Sequence, residues 1–266
     1  MQTRAYWNNY NMTFRDETYG PSAGSSLWQT CPLVAHLDPS LASTFYDDFW
    51  SLPCTAIAAT DGRWGLTEDA GKTGTDAMQD MRGGVWKLFC GGTNNEETYL
   101  HTIGESWILT AGHSLWFEAR VAVVEASTNE ANFWIGLTDV EAANQIADTN
   151  AGPIGTYFGV GFFKTGGALT TVGFETSNGT TQSTSTSQWT VVSSAFRNYG
   201  CWIKTESTSD TVAVCTPYVD GVAGTAHNIT LASLAEMEFV VGLKTGSTDA
   251  EDALLIDYVK IVQIRN

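Results

Sequence analysis

The sequence predicts an all-β protein, an antiparallel sandwich or barrel, and four observations carry that reading. Roughly a dozen short apolar runs follow one another from residue 85 onward with turn residues between them, the pattern of strands. Helix-length apolar patterns are nearly absent. Gly is abundant at 26 and Pro scarce at 6, as many tight turns require. Ten Trp residues supply wide rings suited to the space of about 10 Å between packed sheets.

Residues 1–45 read as an extended N-terminal arm. They carry Tyr6, Trp7, Tyr10, Phe14, Tyr19 and Trp28 among Asn, Ser, Gly and Pro, with no sustained period of 2 or 3.6. Disordered segments are usually poor in aromatic residues, so the arm is expected to pack on its own domain or on a neighbour. Those aromatic residues are the candidate partner-binding set. Residues 46–266 form the sandwich domain. Its first part, to residue 84, is rich in turn chemistry, as in DGRWG and DAGKTGTDAMQDMRGG. GKTGT is not a phosphate loop, because Leu66 stands where that motif needs Gly.

From residue 85 the strands follow in order: GVWKLFC, WILT, SLWFEARVAVVE, ANFWIGLTD, TYFGVGFFK, LTTVGFE, QWTVV, GCWIK, TVAVCTPYV, EMEFVVGLK and ALLIDYVKIVQIR. In SLWFEARVAVVE, Leu115, Phe117, Ala119, Val121 and Val123 alternate onto one face, with Trp116, Glu118 and Arg120 on the other. Phe117, Val121, Ile135 and Val259 are expected in a shared core. Gly166-Gly167 and Asp220-Gly221 mark turns, the latter a hairpin. SNGTTQSTSTSQ reads as a polar loop, and EAANQIA and Leu231–Ala235 as short helical turns. No internal repeat is visible.

The formal net charge of −16 repels phosphate and argues against direct nucleic-acid binding, and it complements a basic partner. The five Cys (31, 54, 90, 201 and 215) include no C-x-x-C pair and no zinc spacing, so buried free thiols are expected, with the state of Cys201 and Cys215 left open. No apolar run reaches the roughly 18 residues of a membrane span, and the N-terminus has no signal-peptide pattern, so synthesis in the cytoplasm is expected. The sequons at Asn11, Asn178 and Asn228 are read as chance matches.

Residues 85–265 resemble the concanavalin A-like (LamG-type) jelly roll of tailed-bacteriophage virion proteins. The resemblance rests on an ordered set: SLWFEARVAV, FWIGLTD, the GV-GFF-K strand, TPYVDG and LLIDYVKIVQIR. It implies an antiparallel two-sheet jelly-roll sandwich. It also implies a virion structural protein, foremost a capsid decoration (cement) protein on the particle surface, made in the host cytoplasm. The partner would be the major capsid protein or another virion protein, in a homo-oligomer or symmetric array. One sandwich hosts lectins, glucanases and structural proteins alike, so a glycan-binding virion module is the alternative and a β-glucanase-type hydrolase a lesser one.

Specific chemistry finds little support, and no enzyme activity, cofactor or metal is expected. Glycoside hydrolysis needs two carboxyls roughly 5–9.5 Å apart. Glu236 and Glu238 share a strand face, but Val240 and Gly242 stand where the related glucanases carry a third carboxylate. Glu118 and Arg120 read as an ion pair on the outer sheet face. G-x-S-x-G is absent, and His36, His101, His113 and His227 sit in unlike contexts. Asp249, Glu251 and Asp252 are a conceivable calcium loop but read more simply as a solvated acidic tip. Among the Trp residues, Trp134 and Trp202 are expected in the core and Trp189 near the surface, where it could stack on a sugar.

Overall fold

The computed structural model describes residues 3–8, 11–16, 26–50, 62–81, 83–125, 130–140, 145–148, 150–167, 170–232, 234–246 and 251–265. These residues form two packed antiparallel sheets, a separate hairpin, and two helices of four and five residues. The hairpin is β1 (Thr3–Asn8) and β2 (Asn11–Asp16), followed by α1 (Ser26–Gln29), α2 (Leu33–Leu37) and β3 (Ala42–Asp47). Then come β4 (Trp64–Glu68), β5 (Ala77–Gln79), β6 (Val85–Gly91), β7 (Glu97–Thr102), β8 (Leu115–Glu125) and β9 (Asn132–Thr138). They are followed by β10 (Phe158–Lys164), β11 (Thr171–Asn178), β12 (Gln182–Thr190), β13 (Phe196–Lys204) and β14 (Val212–Val219). The remaining strands are β15 (Val222–Ala223), β16 (His227–Thr230), β17 (Glu238–Lys244) and β18 (Glu251–Ile264).

The small sheet has seven strands in the order β12-β11-β10-β9-β17-β7-β4. The large sheet has nine, with β15-β14-β13-β8-β18-β6-β5 as its spine, β16 paired to β14 and β3 paired to β18. β18 pairs with β8 along its length, while its other edge is shared by β6 over the first half and β3 over the second. The alternation in β8 sends Phe117, Ala119 and Val121 inward, where they meet Phe133 and Ile135 of β9 and Phe239 and Val241 of β17. The rings of Phe117 and Phe239 lie edge to face across the sheets at 5.5 Å. Phe117, Val121, Ile135 and Val259 are all fully buried in this core, as expected.

Val259 reaches the core through a break in the pattern. The pairing of β18 with β8 shifts between Ile256 and Tyr258, leaving Asp257 as an extra residue. Leu254 and Ile256 point inward before this bulge, and Val259 and Ile261 after it. Simple alternation from Leu254 would instead have sent Tyr258 and Lys260 inward.

Four expectations need correction. QSTSTSQ is strand β12, and only residues 178–181 turn, with Asn178 Oδ1 accepting from the backbone of Thr180 and Thr181. β12 is an edge strand with little buried surface, so it shows no apolar alternation. It bulges where Thr186, Ser187 and Gln188 oppose Gly173, and Ser187 has φ 57°. Residues 46–84 contribute β4 and β5 as well as turns. The described residues of 231–235 are not helical; in EAANQIA, residues 141–144 lie outside the described residues and Ile146 forms a bridge with Pro153. Residues 26–47 are packed on the sandwich itself, so the compositional boundary at 45/46 does not coincide with a boundary in packing. The Asp220-Gly221 turn is as expected, both residues having positive φ.

Replacing Phe117 by Ala should destabilise the protein by about 3–5 kcal/mol, because the ring fills the inter-sheet space and its neighbours cannot collapse onto the gap. Urea titration followed by Trp fluorescence reads this directly; a loss below about 1 kcal/mol would place the core elsewhere.

Candidate functional site

The two outer faces of the sandwich differ in chemistry. On the small sheet, large rings lie over glycines of a neighbouring strand. A Cβ on Gly242 would overlap the Tyr99 ring, one on Gly65 the His101 ring, one on Gly161 the Trp134 ring and one on Gly173 the Phe163 ring. Over this layer folds the segment carrying Ile146, Ile154 and Tyr157. Trp134 is therefore 0 % exposed, buried outside the inter-sheet core and closed to a sugar.

The carboxylates on this face are each held by their own partners. Glu238 meets His101 Nδ1 at 2.6 Å, and Thr67 Oγ1 is 3.5 Å from the other ring nitrogen. Glu97 accepts from Tyr99 Oη at 2.6 Å and from Lys244 Nζ at 3.0 Å. Glu175 accepts from Tyr157 Oη at 2.6 Å, and burial raises its pKa despite that bond and one from Thr184. Glu236 lies exposed, outside β17, so it does not share a strand face with Glu238. The His101–Glu238 pair was not singled out by sequence; the two are brought together by the pairing of β7 with β17.

The large sheet presents a different surface. Trp116 of β8 and Trp202 of β13 stack with centroids 6.3 Å apart and planes 8° from parallel. Trp202 is thus half-buried on the outer face rather than in the core, correcting the expectation. Onto these rings fold α1, α2 and the start of β3, which bury Leu27, Cys31, Ala35 and Ala42 against Trp116 and Val262. Gly200 leaves the space that Leu27 fills, since a Cβ there would overlap the leucine. Trp116 Nε1 donates to Thr30 Oγ1 at 2.8 Å.

Trp28, one of the candidate partner-binding residues, is tied to this same face. Its Nε1 donates to Glu118 Oε1 at 3.1 Å, and Lys260 Nζ sits 4.1 Å over its ring. Glu118 also accepts from Tyr258 Oη at 2.7 Å, and its pKa is raised by burial against these bonds. The expected Glu118–Arg120 pair is not formed. Arg120 pairs with Asp257, the bulge residue, and lies over the Phe196 ring. Of the other arm residues, Tyr6 and Trp7 fall in β1 and Phe14 in β2, while Tyr10 and Tyr19 lie outside the described residues.

The cover is incomplete. Along β14, Val212 and Val214 point outward and are exposed, and Tyr218 is only partly covered. Tyr46 and Leu37 stand exposed at the other side of the cover. Trp189 is half-buried against Phe162, 5.7 Å away. The four described cysteines are free and buried, and Cys215 lies opposite Ile203 rather than Cys201. Among the described residues no three His, Cys, Asp or Glu side chains are arranged to hold a metal; Asp249 lies outside them, and Asp252 is buried.

No protein-family model matches the chain, and no curated protein sequence does. Solved structures do match, at low identity. A protein of unknown function, SO2946, from Shewanella oneidensis MR-1 matches with a TM-score of 0.54 at 13 % identity, over 84 % of this chain and 87 % of that one. The endo-1,3-beta-glucanase of Streptomyces sioyaensis matches with a TM-score of 0.54 at 15 % identity, over 86 % and 99 %. Peanut lectin matches with a TM-score of 0.53 at 12 % identity, over 85 % and 99 %. The fold is therefore the concanavalin A-like sandwich, which both enzymes and lectins use.

His36 of α2 gives this face a pH dependence. Burial, with a smaller contribution from the Lys260 cation, lowers its pKa from 6.5 to about 4. The unfolded chain thus binds more protons than the folded one between those values, so stability is fully present above pH 6.5 and is lost as pH falls toward 4. Thermal unfolding of H36Q across that window should show a shallower loss than the wild type; equal slopes would remove His36 from the account.

Proposed function

We propose that this chain is a virion structural protein, a capsid decoration protein of a tailed bacteriophage that docks on the shell through its N-terminal residues and the outer face of its large sheet. The observation that carries this reading is the incomplete aromatic and aliphatic surface on that face. Its own residues 26–47 cover part of it, and Val212, Val214 and Tyr46 extend it into solvent. The resemblance of residues 85–265 to virion sandwiches supplies the setting. The major capsid protein is the partner, and the net charge of −16 favours a basic patch on it. Burying a few hundred Å² of apolar surface would contribute several kcal/mol at about 25 cal/mol per Å², before ordering entropy is subtracted. Repetition over a symmetric shell multiplies the effect through avidity.

Truncation tests the docking. A chain starting at Gly24 loses the contacts of β2 with α1 and α2 but keeps the packing of residues 26–47 on the large sheet, so it should stay folded, yet it should lose most of its binding to particles lacking the protein, read by co-sedimentation. A chain starting at Asp48 loses Leu27, Ala35 and Ala42 from the cover of Trp116 and should unfold at lower temperature or aggregate. Full-strength binding by the folded Gly24 chain would reject the N-terminal anchor.

A carbohydrate-binding module is the second reading, favoured by the likeness to peanut lectin. Glycan-array binding by the full chain, without particle binding, would put it first. Turnover of a β-glucan that disappears in E238Q would replace both readings with a hydrolase.

A further inference from the structure

Glu125 closes β8 of the large sheet, and Lys164 closes β10 of the small one. Their side chains meet inside the sandwich, with Lys164 Nζ 2.8 Å from Glu125 Oε1 and side-chain exposures of 0 % and 4 %. Nζ also donates to the Ala131 carbonyl at 2.6 Å, which fixes its direction. A second carboxyl stands beside the pair. Asp252 is 0 % exposed, lies directly opposite Glu125 in the register of β18 with β8, and acts electrostatically on Lys164. Glu130 acts on Lys164 more weakly.

In a site closed to water both members of an ion pair are penalised, and moving one proton along the hydrogen bond from ammonium to carboxylate relieves both. Burial indeed lowers the Lys164 pKa against the pull of its carboxylates. The form that can react is the neutral amine touching the neutral acid, reached by that single proton shift within the 2.8 Å contact, with the buried Asp252 carboxyl across the strand pair to carry a proton. Lys244 makes the contrast. It touches two carboxylates, Glu97 at 3.0 Å and Asp148 at 2.6 Å, but Asp148 is 58 % exposed, so that site is open to water.

We propose that Lys164 and Glu125 condense to an intramolecular isopeptide bond that joins the two sheets, with Asp252 as the proton carrier. Nζ attacks the Cδ of the protonated Glu125, forming the N–C bond. Asp252 takes a proton from the nitrogen and returns it to the Glu125 hydroxyl, which leaves as water when its C–O bond breaks. Amine and acid become amide and water, and nothing is oxidised or reduced. Fixed contact between nucleophile and carbonyl, with a positioned acid–base group, supplies the rate.

Intact-mass measurement of the full chain, folded, then reduced and denatured, tests this. The wild type should fall about 18 Da, one water, below the mass of its sequence, corrected for any loss of the initiator Met. Proteolysis should release one branched peptide containing Lys164 and Glu125. K164R should show no deficit, and D252N should close the bond about 100-fold more slowly or not at all. A folded wild type of full mass, with Lys164 and Glu125 recovered on separate peptides, would overturn the proposal. That measurement needs no variant, so misfolding of K164R leaves it decisive.

Discussion

The large sheet depends on the pairing of a single strand. β18 hydrogen-bonds to β8 on one edge and, on the other, first to β6 and then to β3. Three strands far apart in sequence are therefore held in register by one. The bulge at Asp257 lies where the β6 and β3 pairings meet, and it lets one strand serve both. It changes which residues face inward, so that Val259 and Ile261 enter the core while Tyr258 and Lys260 turn outward. Tyr258 and Lys260 then supply the hydroxyl and the cation that receive Glu118 and Trp28. The outer face of the large sheet is thus set by one inserted residue, compensated by Arg120 across the strand.

The two faces divide the roles open to this sandwich. On the small sheet the rings are seated on glycines and roofed by the segment around Ile146 and Tyr157, so its aromatic surface is used up internally. Its carboxylates are engaged by His101, by Lys244 and Tyr99, and by Tyr157. On the large sheet the aromatic surface is covered by the chain's own N-terminal residues and runs on past them. Lectins and a glucanase share the architecture, and their likeness speaks to the backbone alone.

Much of the fold was legible in the sequence because the informative strands have one apolar face. SLWFEARVAV alternates cleanly, and its inward set is the observed one. The places that were not legible have physical reasons. β12 is an edge strand with both faces largely wet, so Ser and Thr fill it without a pattern. LLIDYVKIV breaks its alternation at a bulge, which no period-2 reading can register. Glu118 and Arg120 were correctly placed on one face, but their partners come from β18 and α1, remote in sequence. Of the candidate arm residues, Trp28 could be traced to a definite place, and that place is its own sheet. The His101–Glu238 pair left no signal beyond the two residue types, since strand order alone makes them neighbours.

The irregular edge formed by β12 has a consequence at the scale of a crowded surface. An open sheet edge invites a like edge to continue its hydrogen-bond ladder, and copies held at high local density would then grow into ribbons. The bulge of two extra residues that holds the left-handed Ser187 interrupts the straight run of donors and acceptors that such growth needs. Two copies meeting at this edge would touch through side chains while each keeps its own sheet.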